Sequence, residues 1–263
     1  MRRRERTTGV SAKTGTAPTR PRARNLLLTG GFGHPFDTAA PALAALLAAG
    51  GIDSRVSDDI EGALAMLAAE PLDLLTVYAL RWTMSTGDKY APHRERWGFS
   101  LSPRGRDAIE GHLARGGGLL ALHTALICFD DWPAWKDMLG AVWAWGRSGH
   151  PPRGDVDVRP CVSAHPLLGD VPAFTLHDEV YGNLDGDAHA GALLQARARA
   201  AAEWHPVLWT RRHGPARVVV DALGHDASAF THPVHGAIVA RAARWAAGLD
   251  LESASLDPAR SHA

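Results

Sequence analysis

The chain of 263 residues has only two cysteines, Cys128 and Cys161, which excludes a disulfide-rich scaffold and a four-thiolate zinc site. No apolar run reaches the roughly 18 residues of a membrane-spanning helix, so none is expected. Net charge is lacking too, because 28 basic and 28 acidic side chains cancel. The cancellation hides an asymmetry. Residues 1–24 carry seven Arg, one Lys and one Glu, a net of +7, which leaves 20 basic and 27 acidic groups, a net of −7, on the remainder. A mildly acidic folded part argues against a DNA- or RNA-binding domain. The basic leader has no apolar stretch of the kind a secretory signal needs, so the cytoplasm is the expected compartment, and two free thiols fit it. Familiar catalytic signatures are missing as well. Neither G-x-S-x-G nor G-x-C-x-G occurs, and there is no H-E-x-x-H. The loop Gly30-Gly31-Phe32-Gly33 lacks the spacing of a dinucleotide fingerprint.

What is present is an alternation of buried strands and helices. Asn25–Thr29, Asp73–Tyr78 and Leu119–Leu122 are short, continuously apolar runs, and Asp53–Ser57 is a weaker strand. Between them lie helical segments. The first runs from a cap at Asp37 to Ala49, the second from Ile60 to Ala69, and the third opens on Ser102-Pro103 and ends near Arg115. Unbroken apolar strands alternating with helices predict a parallel sheet covered on both faces. Two β-like runs, 204–211 and 217–222, flank His213-Gly214-Pro215 and predict a hairpin that extends the sheet in antiparallel fashion. A last helix is expected over 234–247. The Thr-, Pro- and Arg-rich residues 1–24 read as disordered, 25–249 as one α/β domain, and 250–263 as a tail. Alanine-rich stretches such as 196–202 read as compositional.

In open parallel sheets, ligands bind beyond the carboxyl ends of the strands. That rule selects three loops, each with a histidine at a strand exit: His34 after the first strand, His123 after the fourth, and His225 after the 218–220 run. His123 stands where a nucleophile elbow would place Ser or Cys. Cys128, five residues on and assigned to the following helix, reads as a core thiol. His150 joins the constellation, with Asp178 and Glu179 as nearby carboxylates. Neighbouring residues on a strand point to opposite faces, so only one carboxylate faces the site; the reading selects Glu179, with Tyr181 sharing its face. His34, His123, His225 and Glu179 are the expected catalytic groups, since imidazoles beside a carboxylate exchange protons near neutral pH. The same chemistry also suits a divalent metal such as zinc on His34, His123, His150 and His225. His150, Tyr181, Trp143 and Trp82 are the expected substrate contacts, because pyranose faces lie flat on indoles. His165, His205 and His232 each precede proline and read as turn devices.

The runs Gly116–Ala125, Asp131-Trp132, Gly149-His150, His165–Gly169, Asp178–Tyr181, His205–Arg211 and Ala222–Asp226 together resemble the ThuA-like (trehalose utilisation) family over about residues 25–249. The resemblance implies a flavodoxin-like three-layer sandwich of the class I glutamine amidotransferase type without its elbow nucleophile. It also implies a role in carbohydrate metabolism, on a sugar or oxidised sugar derivative. The segment between Thr83 and Phe99 is longer than in typical members. Two classes of function follow. One is a hydrolase, lyase or isomerase using histidine acid/base chemistry, with or without metal. The other is a non-catalytic metabolite-binding or complex-forming protein. Glutamine hydrolysis is not expected. The expected partner is a small sugar, with no nucleic acid and no membrane, and a homo-oligomer is left open.

Overall fold

A computed structural model describes residues 22–162 and 164–251. In chain order the elements are β1 (Ala23–Gly31), α1 (Phe36–Ala49), β2 (Ile52–Ser57), α2 (Ile60–Ala69), β3 (Leu74–Leu80), α3 (Arg94–Trp97), α4 (Pro103–Ala114) and β4 (Gly118–Leu122). There follow α5 (Pro133–Leu139), β5 (Ala141–Val142), β6 (Gly154–Pro160), β7 (Phe174–Asp178), β8 (Asp185–Gly186), β9 (Ala192–Ala198), β10 (His205–His213), β11 (Ala216–Asp221), α6 (Ala227–Thr231) and α7 (Pro233–Ala246). Residues 1–21 of the basic leader and 252–263 of the tail lie outside the described residues. Ala23 and Arg24, expected in the disordered leader, already belong to β1, where Ala23 is buried.

Nine strands form one sheet in the order β2-β1-β3-β4-β11-β10-β9-β6-β7. The first five are parallel, and β10, β9, β6 and β7 each pair antiparallel to the strand before them in that order. β3 and β4 are buried along their whole length, as two-sided coverage demands. Helices α1, α6 and α7 pack on one another, while α2 pairs with α4. Right-handed crossovers from β1 back to β2 and from β2 forward to β3 put these two groups on opposite faces. The arrangement is the α/β flavodoxin-like three-layer sandwich with an antiparallel extension.

Local signals account for the boundaries. Ser102 accepts from Gly105 N at 3.0 Å and Pro103 follows, so α4 starts where the sequence places it. The predicted cap at Asp37 does not form; α1 begins one residue earlier, and Asp37 lies within its first turn with no capping bond. A negative charge there favours the helix through the dipole alone. Cys128 is not in a helix either, since a short turn over His123–Leu126 follows β4 and α5 starts only at Pro133. The stretch beginning at Ala196 is structural rather than compositional: Ala196 and Ala198 are buried in β9.

Counting strand directions places the site. Four successive antiparallel steps from β11 to β7 return the chain to its original direction. The carboxyl end of β7 therefore emerges on the same edge as the ends of β1, β3, β4 and β11, although β7 is the outermost strand.

Candidate functional site

His123 is the pivot. Leu122 pairs with Asp221, so the residue after β4 stands beside Ala222, the residue after β11. The His123 Nδ1 proton is donated to the Ala222 carbonyl at 2.8 Å, which leaves Nε2 as a lone pair pointing away from the sheet. The ring is completely buried. Its backbone has φ +48°, a left-handed conformation that costs a β-carbon-bearing residue energy and that marks an elbow turn. Gly224 makes room opposite: at φ +118°, with the site of its missing Cβ 3.7 Å from His123 Cβ, it bends the chain without a clash.

The other groups arrive from the remaining strand ends. Gly31 lets β1 leave the sheet against β3, because a Cβ there would lie 2.1 Å from the Leu80 carbonyl oxygen. Three residues later His34 brings Nε2 to 3.3 Å from His123 Nε2. The Glu179 Oε2 atom lies 3.6 Å from His123 Nε2 and 3.5 Å from His225 Nδ1, and Oε1 lies 3.6 Å from His150 Nδ1. Tyr181 presents its hydroxyl to His123 Nε2 at 3.1 Å. One donor atom each from His34, His123, Glu179 and His225 lie within 4.8 Å of one another, a set able to hold a cation. His150 is not in that set. It stands at the rim with its side chain 35% exposed and donates Nδ1–H to the Pro151 carbonyl at 2.9 Å.

Asp178 is the last residue of β7 and Glu179 lies just beyond it, where the chain leaves the strand, and their side chains divide. Glu179 turns into the site. Asp178, 1% exposed, turns the other way and accepts from Gly224 N (2.8 Å), His225 N (3.1 Å) and Glu179 N (2.8 Å), so it ties the loop carrying His225 to the end of β7. Tyr78 adds a hydroxyl donated to the Gly224 carbonyl at 2.8 Å. From the sequence Asp178 was named only as a nearby carboxylate, and Tyr78 was not singled out. The Tyr78 role has no local signal, since it depends on a loop 146 residues away.

Electrostatics keeps two of the imidazoles, His34 and His123, neutral. Burial, reinforced by His123 and His225, lowers the His34 pKa to about 3. Burial likewise lowers His123 to about 4, against the Ala222 hydrogen bond and the Glu179 charge. For Glu179 burial works upward, but His225, His123 and His150 outweigh it and hold the carboxyl at about 2. The result is an ionised carboxylate beside the neutral His123 ring. Tyr181, fully buried beside Glu179, is held well above the usual phenol range and stays a protonated hydroxyl. Cys128 is a core thiol: burial lifts it to about 12, and its Sγ contacts the Ala79 carbonyl at 3.0 Å.

These groups open onto a cavity of about 190 Å³ lined also by Phe32, Trp82, Tyr90, Trp143 and Trp145. Trp82 and Trp145 stack at 5.8 Å with 23° between planes, and Tyr90 meets both edge-on. Tyr90 belongs to the long 83–99 segment, so that segment supplies part of the wall. Trp82 and Trp143, both expected contacts, line the cavity; Phe32 and Tyr90 were not foreseen. Arg81, just past the end of β3, does not line the cavity and donates to the Asp58 carbonyl at 3.2 Å. A larger hollow of about 700 Å³ between α2 and α4 is walled by alanines and by Glu61, whose carboxylate is already engaged by Ser102. Arg104, Asp107 and Arg115 also line it, but no histidine or cysteine does.

The fold and the site together define a flavodoxin-like sandwich with a buried histidine in a left-handed turn at the end of its fourth strand. The trehalose-utilisation (ThuA) family model matches residues 24–246, and the chain belongs to that family. The fold is similar to a ThuA-like protein of Parabacteroides merdae, at 18% identity and TM-score 0.67 over 87% of this chain and 91% of that one. It is similar to a ThuA-like protein of Bacteroides uniformis, at 16% identity and TM-score 0.63 over 89% and 95%. A cytoplasmic protein of Salmonella typhimurium shares it at 15% identity and TM-score 0.52 over 81% and 95%. At these identities the likeness carries the fold alone. No curated protein matches the chain.

Proposed function

We propose that this protein is a cytoplasmic enzyme of carbohydrate metabolism that acts on an oxidised sugar derivative by acid/base chemistry. The observation that supports it most is the ionised Glu179 held between His123 and His225 at the floor of a small aromatic cavity. A carbonyl on a sugar ring acidifies the neighbouring C–H. A neutral imidazole or the Glu179 carboxylate takes that proton, the electron pair moves into the carbonyl as an enolate, and collapse of the enolate expels a β-oxygen substituent. The leaving oxygen takes a proton from the Tyr181 hydroxyl or from His150. Trp143 and Trp82 give the apolar sugar face a surface to lie on. The family's link to trehalose utilisation supports a sugar rather than another carbonyl compound.

The test is turnover of a panel of sugars and their keto derivatives, followed by chromatography. The keto derivatives are expected to react, and His123→Ala to lose about 10²- to 10⁴-fold in kcat, the worth of a positioned acid or base. If His123→Ala changes ligand affinity while no member of the panel is ever converted, the alternative gains: a metabolite-binding protein on an amidotransferase-like scaffold.

A further inference from the structure

We propose that His34, His123, His225 and Glu179 are the ligands of one divalent transition-metal ion of the zinc class, and that His150 is the outer partner of Glu179 rather than a ligand. The proposal rests on the reading of this site as a reactive centre and narrows it: side chains that ligate an ion do not also take the substrate proton, so with the ion bound the proton transfers fall to His150 and the Tyr181 hydroxyl, and the ion would polarise the carbonyl. Four-coordinate zinc, with bonds of about 2.0–2.1 Å, sets neighbouring donor atoms about 3.3–3.4 Å apart. The separations here are 3.3 Å between His34 Nε2 and His123 Nε2, 3.5 Å between His225 Nδ1 and Glu179 Oε2, and 3.6 Å between His123 Nε2 and Glu179 Oε2.

Hydrogen bonds explain these contacts poorly. The two contacts to Glu179 are long for hydrogen bonds. His123 has already given its Nδ1 proton to Ala222, so its Nε2 lone pair faces both the Tyr181 hydroxyl at 3.1 Å and a second imidazole nitrogen at 3.3 Å, and one lone pair cannot serve both as a good hydrogen bond. The His225 Nδ1 atom is buried with no hydrogen-bond partner. A cation between these atoms satisfies all of them at once. A ligating histidine whose other nitrogen donates to a backbone carbonyl is also the usual outer-shell arrangement, and His123 has it.

The carboxylate shows which groups ligate. Its Oε2 faces His123 and His225, while Oε1 faces outward to His150 at 3.6 Å. Glu179 thus offers one oxygen to the ion and turns the other toward the His150 ring at the rim. His34, Glu179 and His225 line the cavity, so the ion is reachable by a ligand lying there. Three imidazoles and one carboxylate suit zinc and its first-row neighbours and do not suit magnesium or calcium.

The experiment uses the full chain without a histidine tag, stripped with a chelator and then titrated with zinc, cobalt(II) or magnesium. Elemental analysis is expected to find about one zinc per chain and no bound magnesium, and the cobalt form to show the strong visible bands of a four-coordinate ion. Glu179→Gln and His225→Ala, whose folding is checked by circular dichroism, are expected to lose about 100-fold or more in zinc affinity. His150→Ala is expected to keep the stoichiometry and weaken binding by about tenfold, the effect of an outer partner. Failure of the wild-type chain to hold zinc, or zinc binding unchanged in both ligand variants, overturns the metal site. Loss of stoichiometric binding in His150→Ala overturns its assignment as an outer partner. The sugar reading fails separately: stoichiometric zinc with no conversion of any keto sugar removes that reading alone, and conversion by a chain that binds no zinc removes the metal alone.

Discussion

At the scale of single residues, the site is built from side chains whose environments are opposed. Glu179 and Asp178 are chain neighbours with different fates. Three imidazoles surround the first, and three backbone N–H groups hold the second. His123 bears a left-handed backbone that most residues avoid, and its ring is fixed by one hydrogen bond to a carbonyl. The sequence located these histidines because strand exits can be read from apolar runs, and it chose between the two carboxylates by alternation. Which histidine would stand at the rim was not legible, because the turn after Gly149 has no period. The thiols give a simple check. Cys128 is buried and held high, whereas Cys161 is exposed. A thiol reagent at about pH 8 should titrate one cysteine in the native chain and both in denaturant. Reaction of both in the native chain would mean that the 79–128 contact is wrong.

At the scale of elements, the parallel half and the β10–β11 hairpin were readable, and the outer antiparallel strands were not. Strands β1, β3 and β4 are continuous apolar runs, and Ser102-Pro103 marks a helix start that formed as expected. Strands β6 and β9 show mixed patterns, because polar partners such as Arg199 with Asp155 and Asp157 decorate the exposed side, and neither reads as a strand locally. A second buried polar pair joins elements behind the site. His235 on α7 donates from Nε2 to Asp221 at the end of β11 (3.0 Å) and from Nδ1 to the Ala229 carbonyl (2.8 Å). Both nitrogens face acceptors, so the charged ring is the satisfied form. Burial opposes the charge, yet Asp221 and the two hydrogen bonds outweigh it and raise the His235 pKa. A histidine raised in the folded state adds stability that is complete below its ordinary value near 6.5 and is lost as pH rises through the raised value. His235→Leu leaves Asp221 buried without its partner. It should cost about 3–5 kcal/mol near pH 6 and less near pH 9, measured by denaturant unfolding. An equal cost at both pH values would show that the ring is neutral throughout.

At the scale of the whole molecule, the central feature is that distant strand ends meet on one edge. Parallel winding brings β1, β4 and β11 there, and an even number of reversals brings β7, nine strands across the sheet, to the same edge. The chain then turns inward from Asp178, tied to Gly224 and His225, and delivers Glu179 and Tyr181 over His123. The rule that ligands bind beyond strand ends captured the histidines from sequence, whereas the path of Glu179 depends on a strand order that no local pattern encodes. The most direct measurement of this convergence is nitrogen-resolved NMR of the histidine rings in chelator-treated full chain, followed from about pH 7 to about pH 4. The account predicts that His34 and His123 remain neutral well below the ordinary histidine pKa, toward values of about 3 and 4, with His123 protonated only on Nδ1, and that Glu179→Gln shifts the signals of His123, His225 and His150 together. Ordinary titration of His34 and His123 near pH 6.5, with each histidine indifferent to the loss of the Glu179 charge, would contradict it.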